Sequence, residues 1–405
     1  MEGEIRTLTE LVAPIDANVQ LDSDDPALQR RATLEHIQDR HRRFSLAQDA
    51  VLTKLLARQR SNELVEQQVE HGLRKIADAI AWELVDRQLH IARRLFREQR
   101  PPSLHESNIN SVRDVAAVMQ RADFSNLVVY SDLTTFVQAG DLLVAGPDGS
   151  ITFVEVKSGK KNHDILASLL SDQPTLLDRK SGEQRERIAK QLARPTHITN
   201  VLNDGESVDP DTGFKVKIPA DPVVVESYDA KIGDMIDDAK SKRWAIDVLD
   251  DCLFIGAYAG EVGPAAPLIF RAWFDACDSR KGFPFVDFNE CMIYPLALPL
   301  FIRNLGVARI LDLLFGRAIV YLAFHLDRFV ERANASGIEM RWSTRREAAA
   351  LGSTSAGMKI ENRVAIAHRG EQTIALTPGL IFRTLFHGST PHSIIRMIDK
   401  LLGGA

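Results

Sequence analysis

Two acids and a lysine stand out by type and spacing: Asp141, Glu155 and Lys157, in the stretch GDLLVAGPDGSITFVEVKSGKKN from Gly140 to Asn162. The stretch reads as two apolar strands joined by a tight turn. GPDGS sets proline where a type I turn wants it and Gly149 where a left-handed residue is needed, the composition of a three-residue hairpin loop with a glycine bulge. With Pro147, Asp148 and Gly149 as the loop, Gly146 pairs with Ser150 and Asp141 falls opposite Glu155. Alternate strand residues share a face, so Glu155 and Lys157 point the same way and the pairing adds Asp141 to them. A loop one residue shorter or longer would set Asp141 opposite Val154, on the other side of the sheet.

Two carboxylates brought together raise one another's pKa, and burial adds a desolvation penalty. A divalent cation relieves both. Two carboxylates plus waters are the hard oxygen set that Mg²⁺ takes when it also binds substrate phosphates. A lysine beside it can orient or deprotonate a water and stabilise charge developing on an attacked phosphate. The chemistry these types and spacings suit is metal-assisted phosphodiester hydrolysis.

GD followed fourteen residues later by EVK, across a hairpin with helix before and after, resembles the PD-(D/E)xK nucleases, the family of many restriction enzymes and of RecB-like and resolvase-like nucleases. The resemblance covers about 75 to 200, extending over strands as far as 260. It implies an α/β (α+β) restriction-endonuclease-like fold, a mixed sheet flanked by helices. It also implies that Asp141 and Glu155, with the backbone carbonyl of Val156, hold Mg²⁺, for which Mn²⁺ substitutes, and that Lys157 is catalytic. Family members add an acid from the preceding helix. Glu83 in AWELVDRQLHIARRLF is the choice, with Glu70 and Asp114 as alternatives. Arg87, Arg94, Lys160, Lys161 and Gln191 are candidate phosphate contacts. Gly140 stands where the motif has proline. Gln191 takes the place of the RecB-like glutamine, but Pro195 stands where that branch has tyrosine. Other acid-x-lysine triplets occur: DRK at 178 and DAK at 229 and 238. The one at 229 follows VVVESY, with no acidic hairpin partner before it.

These residues need a scaffold. Apolar residues at helical spacing over 26 to 100, such as Leu84, Leu89, Ile91 and Leu95, predict two or three long amphipathic helices. RPPSLHESN ends them, and a short helix follows at 111 to 121. The run 126 to 159 predicts three strands in a meander. Helix is expected at 164 to 194, and NDGESVDPDTGFKVKIPADP reads as a loop or exposed hairpin. Strands are expected at VVVESYD and CLFIGAYAG, and mostly helix from 290 to 335. The expected domains are an N-terminal helical region (1–75), a nuclease domain (76–261) and a mainly helical C-terminal recognition or assembly domain (262–405).

The chain of 405 residues carries a net charge of −5, which argues against a generic polyanion coat and leaves room for a local basic groove. Its longest apolar region is broken by Pro295, Pro299, Arg303, Arg309, Asp312 and Arg317, so no membrane span is expected. MEGEIRTLTE lacks the basic and apolar segments of a signal peptide, and three sparse cysteines suit a reducing compartment; a cytoplasmic protein is expected. The expected partner is DNA, in a bacterial phage-defence or repair setting, alongside other defence or repair proteins, with homo-oligomerisation through the C-terminal region. The alternative is a catalytically inactive nuclease-fold protein that binds nucleic acid or scaffolds such a complex.

Overall fold

The computed structural model describes residues 2–14, 26–58, 64–97, 104, 108–122, 126–146, 150–156, 199–200, 206–208, 215–217, 225–277, 283–350, 359–370 and 372–403. The helix expected at 164 to 194, and with it Lys157, Lys160, Lys161 and Gln191, lies outside them. The protein is mixed α+β and divides into two compact units, residues 3–220 and 221–405. No helix among the described residues is long and apolar enough to cross a membrane.

The first unit opens with five helices, α1 (Glu2–Val12), α2 (Pro26–Leu56), α3 (Leu64–Leu84), α4 (Leu89–Leu95) and α5 (Ile109–Ala122). Three strands follow, β1 (Leu127–Tyr130), β2 (Leu142–Ala145) and β3 (Ile151–Val154), paired as an antiparallel meander. Helix α2 turns one face inward, with Phe44, Ala47, Val51, Leu52 and Leu55 buried at helical spacing. Helix α3 is buried almost all round from Leu73 to Trp82. Gln48 of α2 completes the outer edge of β1: its amide donates to the Val128 carbonyl at 2.8 Å and accepts from the Tyr130 N–H at 3.0 Å. The expected separate helical region 1–75 is therefore corrected. Its boundary falls inside α3, and α2 belongs to the sheet it caps. A second hairpin, β4 (Glu206–Val208) with β5 (Lys215–Lys217), forms from the Asp- and Gly-rich stretch.

The second unit is built from α6 (Asp229–Lys242), β6 (Trp244–Leu249), β7 (Leu253–Ala259), α7 (Ala266–Asp275), β8 (Phe285–Asp287), α8 (Val307–Leu314), β9 (Ala318–Phe324) and α9 (Leu326–Ala335). It continues with β10 (Glu339–Trp342), α10 (Arg345–Ala350), β11 (Ala365–Arg369), β12 (Gln372–Ala375), α11 (Pro378–His387) and α12 (Pro391–Leu401). One antiparallel sheet has the order β6-β7-β9-β8, and a second has β10-β11-β12. Two expectations change. The division comes after residue 220 rather than 261, because β6 and β7 are hydrogen-bonded into a sheet with β9 and β8. Among its described residues the C-terminal region has more helix than strand, but five strands, β8 to β12, run through it. Within the 290–335 stretch expected as mostly helix, α8 ends at Gly316 (φ +67), where the Arg317 N–H returns to the Asp312 carbonyl, and the chain resumes as β9, buried at six of its seven residues. Every named strand pair among the described residues is antiparallel, so the expected mixed sheet is not seen there.

A buried ion pair knits the second unit. Fully buried Arg303 donates through Nε to Asp229 Oδ1 at 2.8 Å and through Nη1 to the Phe386 carbonyl at 3.2 Å. The Asn304 N–H meets the other Asp229 oxygen at 3.0 Å, and the guanidinium lies 4.8 Å from the Phe288 ring centroid. The two rival DAK triplets thus have structural employment: Asp229 holds Arg303, Lys231 pairs with Asp247, Asp238 with Lys242, and Lys240 with Asp312, while the triplet at 178 lies outside the described residues.

Candidate active site

The β2–β3 hairpin has the register its loop demands. Leu142 faces Val154, Leu143 faces Phe153, Val144 faces Thr152 and Ala145 faces Ile151, and the Gly146 N–H donates to the Ser150 carbonyl at 2.9 Å. Continued by one residue, this register sets Asp141 opposite Glu155. Both are half-buried, at the end of the sheet away from the turn.

The ladder does not run on regularly. A continued pairing would match the Val156 N–H with the carbonyl of residue 140. Instead Gly140 takes φ +69, the Asp141 N–H goes to the Val154 carbonyl at 2.9 Å, and the Val156 N–H donates to Asp141 Oδ2 at 2.6 Å. The Asp141 carboxylate takes the place of the missing backbone acceptor, which fixes it against the chain segment that carries Glu155. Gly140 is there for a backbone reason: φ +69 is closed to proline and strained for other L residues, and a Cβ would lie 3.3 Å from both Phe153 Cβ and the Val154 carbonyl oxygen. The departure from the proline of the motif is thus imposed by the local fold.

Asn108, just before α5, donates its amide to the Val156 carbonyl at 2.9 Å. This is the carbonyl expected to face a cation, and here one of its two lone pairs is used. Glu83 sits near the end of α3, bonded through Oε1 to Arg87 at 2.6 and 2.7 Å, with Arg40 3.9 Å from Oε2. The structure therefore joins Glu83 to Arg87, two residues expected to bind metal and phosphate separately. The turn that brings them together carries Asp86 and Arg87 at positive φ, 50° and 54°. Arg94 donates to the His90 carbonyl one turn back. Of the alternative acids, Glu70 is exposed and paired with Arg74 at 2.9 Å, and Asp114 is exposed on α5.

Sequence reasoning passed over Lys75 and Asp78. Both are fully buried, 3.0 Å apart on adjacent turns of α3, and Asp78 receives both the N–H and the hydroxyl of Thr135 at 2.6 Å each. The signal was present as a lysine and an acid three residues apart within KIADAIAW, an otherwise apolar helical run.

By type Asp141 and Glu155 suit Mg²⁺, as two hard oxygen donors near one sheet end, the first held by a backbone N–H. Among the described residues no cluster of three or more His, Cys, Asp or Glu adds to them. No family model, curated protein or solved structure matches the chain.

Proposed function

We propose that the first unit is a Mg²⁺-dependent nuclease of restriction-endonuclease-like fold that hydrolyses phosphodiester bonds of DNA. What supports this reading is the end of the β2–β3 hairpin, where the regular register stops at Leu142 and Val154, Asp141 and Glu155 follow as half-buried neighbours of that pair, and the Val156 N–H donates to Asp141. Asp141 and Glu155 would hold the cation, which supplies Lewis-acid polarisation of the phosphate and a more acidic water. The Val156 peptide orients Asp141 through its N–H. Lys157, next along the chain, has the chemistry to align or deprotonate the attacking water and to balance charge on the phosphate. Arg87 and Arg40 could meet substrate phosphate only by sharing or leaving Glu83.

The test is incubation of the purified full chain with supercoiled, linear and single-stranded DNA, in Mg²⁺ and in chelator. Mg²⁺-dependent cleavage that Glu155→Ala abolishes supports the reading. Binding without cleavage under every condition points to the inactive, nucleic-acid-binding alternative.

A further inference from the structure

We propose that Lys75 and Asp78 are positioning residues for Asp141: the buried pair clamps the closed loop 131–141 and so fixes where the Asp141 carboxylate points. This rests on the reading of Asp141 and Glu155 as cation ligands.

The loop is closed by its own ends, because the Ser131 N–H donates to the Asp141 carbonyl at 3.0 Å. Inside it, the Thr134 hydroxyl donates to the Ser131 carbonyl at 2.8 Å and accepts from the Val137 N–H at 3.1 Å. Farther along, the Gln138 N–H reaches the Leu95 carbonyl at 2.9 Å. Such a loop has a shape of its own but needs anchoring to the body of the unit.

One side of α3 provides that anchoring in sequence order. Arg74 donates to the Asp132 carbonyl at 2.5 Å, Asp78 receives Thr135 twice, and Trp82 lies against Phe136 with ring centroids 5.1 Å apart. Residues 74, 78 and 82 recur every four positions, so they form a single stripe along the helix. Lys75, one residue on from the start of that stripe, neutralises Asp78 at 3.0 Å with both side chains wholly shielded from water.

Packing alone would be served by apolar residues at these positions, and a buried ion pair is a poor source of net stability. What the pair adds is direction. A carboxylate accepting an N–H and an O–H from one residue permits a single placement of Thr135 against the helix. That placement propagates through Phe136, Val137 and the Ser131–Asp141 closure to the residue bearing the ligand.

Truncating Asp78 would remove the buried acceptor shared by Lys75 and Thr135 and risk unfolding, so Thr135→Val is the informative variant: it keeps the volume and the N–H bond and removes the hydroxyl. Two readouts are taken on the full chain, amide hydrogen exchange across 131–141 and binding of Mn²⁺ alone followed by electron paramagnetic resonance. Loss of a hydrogen bond to a charged, buried acceptor is expected to speed exchange of the Asp141 amide by about tenfold. Disturbing a residue that orients a ligand is expected to weaken Mn²⁺ binding by about tenfold. Thr135→Ser, which restores the hydroxyl, is expected to return both to the wild-type values. If wild-type protein binds Mn²⁺ and Thr135→Val binds it equally well, or exchanges at the wild-type rate, the positioning role is refuted while the cation site stands. If wild-type protein binds Mn²⁺ no better than Glu155→Ala, the cation site itself falls, and the clamp's functional role with it.

Discussion

Replacing Gly140 by alanine tests the backbone geometry under the proposed site, and the sign of the effect decides. Where glycine has an ordinary negative φ, alanine stabilises a protein by about 0.4–1 kcal/mol, because it narrows the unfolded ensemble. At φ +69 the same substitution puts an L residue in the left-handed region, at a cost of about 1–2 kcal/mol. The new methyl would also sit 3.3 Å from Phe153 Cβ and the Val154 carbonyl oxygen, so β3 must yield slightly. The unfavourable terms win, with a net loss of about 1 kcal/mol, or roughly a fivefold increase in opening of the hairpin. Amide hydrogen exchange reads this locally: protection of β2 and β3 is expected to drop about fivefold, with β7 and β9 of the second unit unchanged. Gly140→Pro, which restores the motif proline but locks φ near about −65°, is expected to lose more. Unchanged or slower exchange in Gly140→Ala would refute the positive φ and, with it, the account of how Asp141 comes to accept the Val156 N–H.

Glu155→Ala and Lys157→Ala are each expected to abolish Mg²⁺-dependent DNA cleavage in a gel assay while the thermal unfolding midpoint moves by no more than about 2 °C. Loss of the folded state in circular dichroism would instead make the residues structural. Asp229→Ala leaves the Arg303 guanidinium buried and unpaired and should destabilise the second unit by about 3–5 kcal/mol in urea unfolding, with the double variant Asp229→Leu/Arg303→Met losing far less. Burial, with the Asp49 carboxylate beside it, pushes the Tyr130 phenol up to about 12. The raised value means that the neutral form is favoured in the folded state, so its contribution is intact below about pH 10 and lost between about pH 10 and the folded value, an effect of about 2–3 kcal/mol. Unfolding of the first unit followed against pH should therefore show a smaller alkaline loss in Tyr130→Phe than in the wild type.

The hairpin was legible because loop chemistry and register are local: the residues of the GPDGS turn predict a three-residue loop, and the observed register from Leu142 to Ala145 is the one that loop length gives. The β4–β5 stretch was legible only as a loop or exposed hairpin, from its Asp, Gly and Pro residues, and the structure makes it a hairpin. The strands of the second unit were harder. Strand β9 is covered on both faces, so its sequence AIVYLAF shows neither a two-residue nor a helical period, and it ran on without visible break from the helix before it. Strand β6 was hidden by its turn, since Asp250 and Asp251 both adopt positive φ, 50° and 62°, where Asn-Gly is the usual signal. Val225 and Glu226 in the expected strand VVVESYD form no strand, and only Ser227 makes an isolated bridge, to Ser389. Asp78 escaped notice because the sequence shows a charged pair on a helix, whereas its burial exists only after residues 131–136 fold across that helix, more than fifty residues later.

The acids of α3 can be ranked by what their release would cost. Asp78 is wholly buried with Lys75, and separating such a pair leaves an uncompensated charge at about 3–5 kcal/mol, too much for a group that must change partners in each turnover. Glu83 is different. Its carboxylate is 13% exposed, and Arg87 and Arg40 are 38% and 36% exposed, so water can take over part of each contact. A pair of that kind lies closer to the surface value of about 0–1 kcal/mol. On the proposed nuclease reading, a phosphate backbone arriving at Arg87 and Arg40 would offer the guanidiniums a bidentate partner of equal charge and would free the carboxylate at little net expense. On that reading the same helix holds one acid that is fixed, and suited to holding a loop in place, and one whose partly exposed pair would be exchangeable against a substrate phosphate.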